Sequence, residues 1–206
     1  MFITFEGIDA CGKSTQIQLM AEALKAQGRD FISTKEPGGT EIGQPIRQIL
    51  LDPEHENFSP QAELLLYLAD RAQHLHTKIQ PALALGKLVL CDRYHDATIA
   101  YQGGGRQLDL SWLKPFEKTF ILKPDLTFWF DLDPELAQVR LHKRSQEEGE
   151  GLCRLEREEV EFFTRIREGY AQIAREEPDR VVTIDAAGSV EAIHVQVMET
   201  VNQKLS

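Results

Sequence analysis

The chain has 206 residues, and its 33 Asp and Glu against 23 Lys and Arg give a net charge of -10. That length buries one sizeable core without requiring a second domain, and an acidic balance of this size opposes both a nucleic-acid backbone and an anionic membrane surface. No apolar run approaches the ~20 residues that span a bilayer, and the N-terminus has neither the basic start nor the apolar core of a secretory signal, so a cytoplasmic protein is expected.

Residues 2–5 form a first apolar, strand-like run, and directly after it the chain reads GIDACGKS: Gly7, four residues, then Gly12-Lys13-Ser14. This is the spacing of a P-loop. Glycines let the backbone turn its N–H groups inward around phosphate oxygens, Lys13 bridges the outer phosphates, and the Ser14 hydroxyl ligates Mg²⁺. The helical pattern that follows, 13–27, directs its positive dipole end at the same anion. The alternative, a glycine-rich turn without ligand, requires strand, loop and helix to fall in these places by accident. Cys11 lies inside the loop, where the surrounding N–H dipoles are expected to lower its thiol pKa and make it oxidation-sensitive. With Cys91 and Cys153 it makes an odd number without metal-ligand spacing, which reads as reduced thiols.

A second strand pattern at 30–34 leads into Glu36-Pro37-Gly38-Gly39-Thr40, with Arg47 about two helical turns further on. The PGG run alone means a tight turn. Next comes a long helical pattern, 60–85, in which Tyr67 and Arg71 are one turn apart and share a face. Together they can hold a base by stacking and hydrogen bonding; the ordinary reading is a tyrosine in the core and an arginine on the rim. His74 and His76, two apart on a helix, face different ways and make no metal pair.

The third strand, 88–91, holds Cys91 as core and ends in Asp92-Arg93-Tyr94. An apolar strand ending in Asp beside a P-loop strand points to a Mg²⁺ site, and Arg93 offers a bidentate fork to the phosphate cleft. A plain ion pair between the two is the competing reading. Residues 96–106 are rich in hydrogen-bonding groups and end in a flexible glycine run, as a substrate-contacting loop would. Further helices are predicted over 110–120, 134–145, 157–177 and 190–205, and further strands over 126–131 and 181–184. The acidic stretch 146–151 reads as a mobile break. Around it lie Arg140, His142, Lys143, Arg144, Arg154 and Arg157. By charge alternation these form a solvated face; beside a P-loop they can also form a lid that brings cations to a moving phosphoryl group.

Continuously apolar strands alternating with helices predict an α/β chain: a P-loop NTPase fold with a five-stranded parallel sheet, helices on both faces and a short lid. One domain spans 1–206, with the lid at about 140–157. Ligands are expected beyond the carboxyl ends of the strands.

The stretches FEGIDACGKST, KEPGGTEIGQPIR, LLLYLADRAQH, DRYHDATIAYQGGGR and VVTIDAAG resemble, in order and spacing, the bacterial thymidylate kinases. The resemblance covers nearly the whole chain. It implies transfer of the γ-phosphate of ATP to thymidine monophosphate, with Mg²⁺, in a homodimer. Carried over by motif, Gly7, Ile8, Asp9, Ala10, Cys11, Gly12, Lys13, Ser14 and Thr15 wrap the donor triphosphate and Arg140 covers the adenine, next to Ala186-Ala187-Gly188. Tyr67 stacks on thymine and Arg71 donates to its carbonyl, while Thr98 and Gln102 lie in the segment contacting the base. Tyr101 sits near the deoxyribose 2′ position, Arg93 and Arg47 bind the acceptor phosphate, and Glu36 is counted with the substrate contacts. Asp9 resembles the acid near the 3′-hydroxyl and metal, so the implied metal set is Ser14, Asp9 and Asp92. The implied catalytic set is Lys13, Asp9, Arg93 and the lid's Arg144. One departure stands out: family lids read Asp-Arg-hydrophobic-Glu, and this chain has Cys153-Arg154-Leu155-Glu156.

Rival classes fit less well. A regulatory GTPase needs an NKxD motif and a DxxG switch after the third strand, where this chain instead follows Asp92 with Arg-Tyr-His and has no NKxD; a motor-type ATPase places Glu after its Walker-B Asp, where this chain has Arg93. Another nucleoside monophosphate kinase, or a silent nucleotide-binding protein, stays open.

Overall fold

The structure is a computed structural model that describes residues 1–55, 57–113, 121–149 and 151–205. Five strands, β1 (Phe2–Glu6), β2 (Phe31–Lys35), β3 (Leu88–Asp92), β4 (Leu126–Asp131) and β5 (Val181–Asp185), form one sheet in the order β2-β3-β1-β4-β5. Every pairing is parallel, with Phe5 opposite Asp92 on one side and Phe128 on the other. The central strands are buried almost throughout, and edge strand β2 is partly exposed. Such uninterrupted burial is why these runs showed no polar alternation.

Side chains alternate between two covered faces. Ile3, Phe5, Leu90, Phe128 and Phe130 share a core with Met20 and Leu24 of α1 (Lys13–Ala26). On the opposite face Phe2, Val89 and Cys91 pack with Leu75, Ile79 and Tyr94, and Trp129 stacks on Tyr170 at 6.3 Å. Helices therefore cover both faces, as the sequence predicts.

Five expectations need correction. A helix, α2 (Gly43–Leu51), was not predicted; it carries Arg47. The single pattern at 60–85 divides into α3 (Pro60–His74), a π-helical turn at Leu75–Ile79 and α4 (Gln80–Ala84). Pro81 explains this, because its ring collides with the carbonyl four residues back and it offers no N–H to the ladder. Residues 96–106 are not a flexible loop: α5 (His95–Thr98) continues into a π-helical segment at Ile99–Gly105. Its glycines are there for close packing against α7 (Val160–Glu176), since a Cβ on Gly105 would stand 2.7 Å from the Phe162 ring. The acidic stretch is not a break at its start, since α6 (Pro134–Glu148) runs through it and closes at Gly149 in the left-handed conformation, φ 68°. Of the predicted helix at 110–120, Ser111–Leu113 is a 3₁₀ turn, and 114–120 lie outside the described residues, as does 150. A second 3₁₀ turn at Leu155–Arg157 precedes α7, and α8 (Val190–Leu205) ends the fold.

Candidate active site

The chain leaves β1 at Gly7 and β3 at Asp92 on neighbouring strands, so both motifs open at the same carboxyl edge of the sheet. Gly7 has φ 137°, and a Cβ there would meet the Phe130 carbonyl oxygen at 2.6 Å; no other residue type fits. Gly12 caps α1 with φ 95° and without a side-chain hydrogen bond, leaving the first N–H groups of the helix for an anion.

Two cavities meet here, sharing Asp9, Glu36, Arg47, Arg93 and Glu156. The wider one, about 660 Å³, is the phosphate cleft, and its wall includes Ala10, Gly12, Lys13, Ser14, Thr15, Asp92, Arg140 and Arg144. Lys13 is nearly buried and donates to the carbonyls of Gly7 (3.2 Å) and Ile8 (2.9 Å). The Ser14 hydroxyl donates to Asp92 at 3.1 Å. Asp92 and Arg93 do not pair with each other in the way the competing reading required. Arg93 instead turns back with φ 66°, donating to the Gly7 carbonyl at 2.6 Å and to Asp9 at 2.7 Å. Burial alone would raise the Asp9 carboxyl, but Arg93 and Lys13 outweigh it and hold the group down at about 2. On α6, Arg144 meets Glu156 at 2.5 Å, and Arg140 donates to the Ala186 carbonyl at 3.1 Å, joining helix and C-terminal loop.

Cys11 is corrected. Its side chain is 1 % exposed, and burial, opposed by Lys13, raises the thiol rather than lowering it. What the loop can offer a phosphate at this position is backbone.

The narrower cavity, about 100 Å³, is lined by Tyr67, Arg71, Thr98, Tyr101, Gln102 and Cys153 among others. Here the ordinary reading of the pair inverts: Arg71 is 2 % exposed while Tyr67 is half-buried on the cavity wall. Arg71 donates to Glu36 (2.8 Å), Thr98 (2.8 Å) and the Tyr94 carbonyl (2.9 Å). Glu36 also meets His74 at 2.9 Å, so each of its oxygens has a partner while its side chain lines both cavities. Tyr101 donates to Asp9 at 3.2 Å and lies under the Arg93 guanidinium at 4.9 Å. Arg47 donates to the Pro37 carbonyl at 3.0 Å on the rim between the cavities. At the lid, burial pushes the Cys153 thiol up to about 11, so a neutral group stands where the resembling family has an acid.

Sequence reasoning missed Glu63, His74 and Tyr94. Glu63 and His74 were findable, since with Tyr67 and Arg71 they occupy positions i, i+4, i+8 and i+11 of one helix face.

A phosphate-binding turn and an Asp-Arg strand end, with an arginine-bearing helix over the same cleft, define a P-loop phosphotransferase. The family model described as thymidylate kinase matches residues 5–197. Curated proteins named thymidylate kinase from Exiguobacterium sp. (45% identical, covering 100% of this chain and 95% of that one) and Desulfosudis oleivorans (47%, 91% and 90%) are among its relatives. The crystal structure of a thymidylate kinase from Ehrlichia chaffeensis superimposes with a TM-score of 0.78 at 33% identity, over 98% of each chain. The chain belongs to the thymidylate kinase family, whose members are ATP-dependent nucleoside monophosphate kinases. Among the described residues, no helix is long and apolar enough to cross a membrane.

Proposed function

We propose that the protein transfers the γ-phosphate of ATP to thymidine monophosphate (dTMP), giving the diphosphate and ADP for thymidine triphosphate synthesis. One observation carries the reading beyond family membership: the phosphate cleft and a buried, arginine-floored pocket open onto each other across Asp9 and Arg93. Donor and acceptor phosphates thereby meet at one place.

The acceptor needs no general base, because the second pKa of a phosphate monoester is about 6 and its oxygen is already anionic at neutral pH. Two anions must instead be brought in line. Lys13 leaves its carbonyl partners for the β- and γ-phosphates, and Arg93 exchanges the Gly7 carbonyl for the stronger acceptor, a phosphate oxygen. Asp9, ionised, keeps Arg93 aimed and offers an acceptor to a sugar hydroxyl. Arg144 swings from Glu156 onto the transferring group as 140–157 closes and excludes water. The P–O bond to ADP breaks as the bond to the acceptor oxygen forms, and no proton moves.

Ser14 and Asp92 fit Mg²⁺: hard oxygens side by side next to the phosphate loop. Mg²⁺ characteristically binds through one or two carboxylates together with waters and substrate phosphates. Ser14 and Asp92 would hold Mg²⁺ there, and the ion would offset negative charge on the donor's phosphates. Arg140 and the loop at Ala186 flank the adenine. Assembly as a homodimer, cytoplasmic location, and one domain carrying a lid complete the proposal.

ADP release measured with ATP and each of a panel of nucleoside monophosphates tests it. Turnover is expected with dTMP well above the cytidine and purine monophosphates; preference for another monophosphate, or none, overturns it.

A further inference from the structure

Glu63 is a buried acid next to the narrow pocket that the reaction above does not use. It lies in the first turn of α3, 1 % exposed. Its Oε1 accepts from the Gln102 side-chain amide at 2.9 Å and from Arg106 at 3.3 Å. Oε2 accepts from Arg106 at 3.3 Å and from Arg154 at 2.5 Å. Burial opposes the charge, but Arg106 and the hydrogen bonds from Gln102 and Arg154 outweigh it, so Glu63 stays ionised and accepts only.

An ionised carboxylate fixes which end of a carboxamide it faces. With the amino group of Gln102 turned to Glu63, the atom left for a base is the carboxamide oxygen, an acceptor. A thymine ring offers a donor at N3; a cytosine ring offers an acceptor there and is repelled. Arg154 adds a second link, because it also donates to the Leu50 carbonyl at 3.0 Å and so ties the lid segment to the end of α2.

We infer that Glu63 is a positioning residue for acceptor recognition: it orients Gln102 toward a base bearing an N3–H and, through Arg154, seats the lid beside the same pocket. The inference rests on the reading of the narrow cavity as the dTMP site. A neutral amide at position 63 offers donor or acceptor alike and no longer fixes Gln102.

Steady-state kinetics of the wild type, Glu63→Gln and Glu63→Asp, with dTMP and deoxycytidine monophosphate as acceptors, decide it. Glu63→Gln is expected to raise KM for dTMP about tenfold, to lower the dTMP-over-deoxycytidylate ratio of kcat/KM about tenfold, and to leave KM for ATP within about twofold. Glu63→Asp keeps the charge between the two arginines, whose long side chains can follow it, but draws the carboxylate one methylene back from Gln102. It is expected to lose discrimination to the same order at a melting temperature near the wild type's, and it carries the test if Glu63→Gln does not fold. A folded variant with wild-type ratio and KM overturns the inference. So does failure of both variants to fold, which would make Glu63 a residue of the fold alone. A wild type that does not phosphorylate dTMP refutes the proposed function instead.

Discussion

The two cavities are built on opposite plans. In the narrower pocket the deepest polar groups are held by buried partners: Arg71 by Glu36, Glu36 by His74, Gln102 by Glu63. In the phosphate cleft the cations rest on placeholders, Lys13 on backbone carbonyls, Arg93 on a carbonyl and Asp9, Arg144 on a half-exposed pair with Glu156. A pocket that must distinguish one base from another gains from fixed geometry. A cleft that must pass an anion from one molecule to another gains from cations that exchange partners cheaply. Damage to the first should therefore appear in the fold, and damage to the second in the rate.

The strongest way to break this contrast is Arg71→Met, which leaves buried Glu36 with His74 as its remaining side-chain partner. Removing one member of a buried pair costs about 3–5 kcal/mol, which lowers the melting temperature of a chain this size by roughly 10 °C. Calorimetry showing no loss would mean that the pocket is no more fixed than the cleft. Arg93→Ala should do the reverse: turnover falls about 10²–10³-fold while binding of a non-hydrolysable ATP analogue is nearly unchanged, and near-normal turnover would remove Arg93 from the reaction. Arg144→Ala is expected to cost roughly 10–10²-fold in kcat, with KM for dTMP held. A change confined to KM would make Arg144 a binding residue.

The smallest effect lies beneath both cavities. Glu6 is fully buried at the end of β1, accepting from the Tyr94 N–H and the Tyr170 hydroxyl. Burial, with the Asp96 carboxylate nearby, raises it from 4.5 to about 7. The unfolded chain then ionises first, so the stability Glu6 contributes is complete below about pH 4.5 and is lost as pH rises through 7. Melting temperatures across that window should fall more for the wild type than for Glu6→Gln. Parallel curves would show that Glu6 titrates normally.

The same contrast marks what could be read from the chain. The cleft was legible because its residues are close in sequence: Gly7 to Ser14 is one turn, Asp92-Arg93 one strand end, and the five strands announced themselves as short apolar runs. The pocket was less so. Tyr67 and Arg71 were visible on a helix, but the burial that makes Arg71 a floor rather than a rim comes from Glu36 and Thr98, 35 and 27 residues away. Glu63 meets Arg154 across 91 residues. At 96–106 local propensity misled, since three successive glycines signal a loop until a helix packs against them and requires small residues. At 75–79 a single proline changed the helical repeat, an effect that apolar spacing does not register.

Arg93 sits with φ 66°, a conformation that glycine adopts freely and a side-chain-bearing residue does not. Backbone comfort and chemistry therefore pull this one position in opposite directions. A glycine there would relieve that strain but leave the Asp9 carboxylate without its guanidinium partner. The unfavourable backbone geometry at this position is accordingly held in place by the contacts of its own side chain to Gly7 and Asp9.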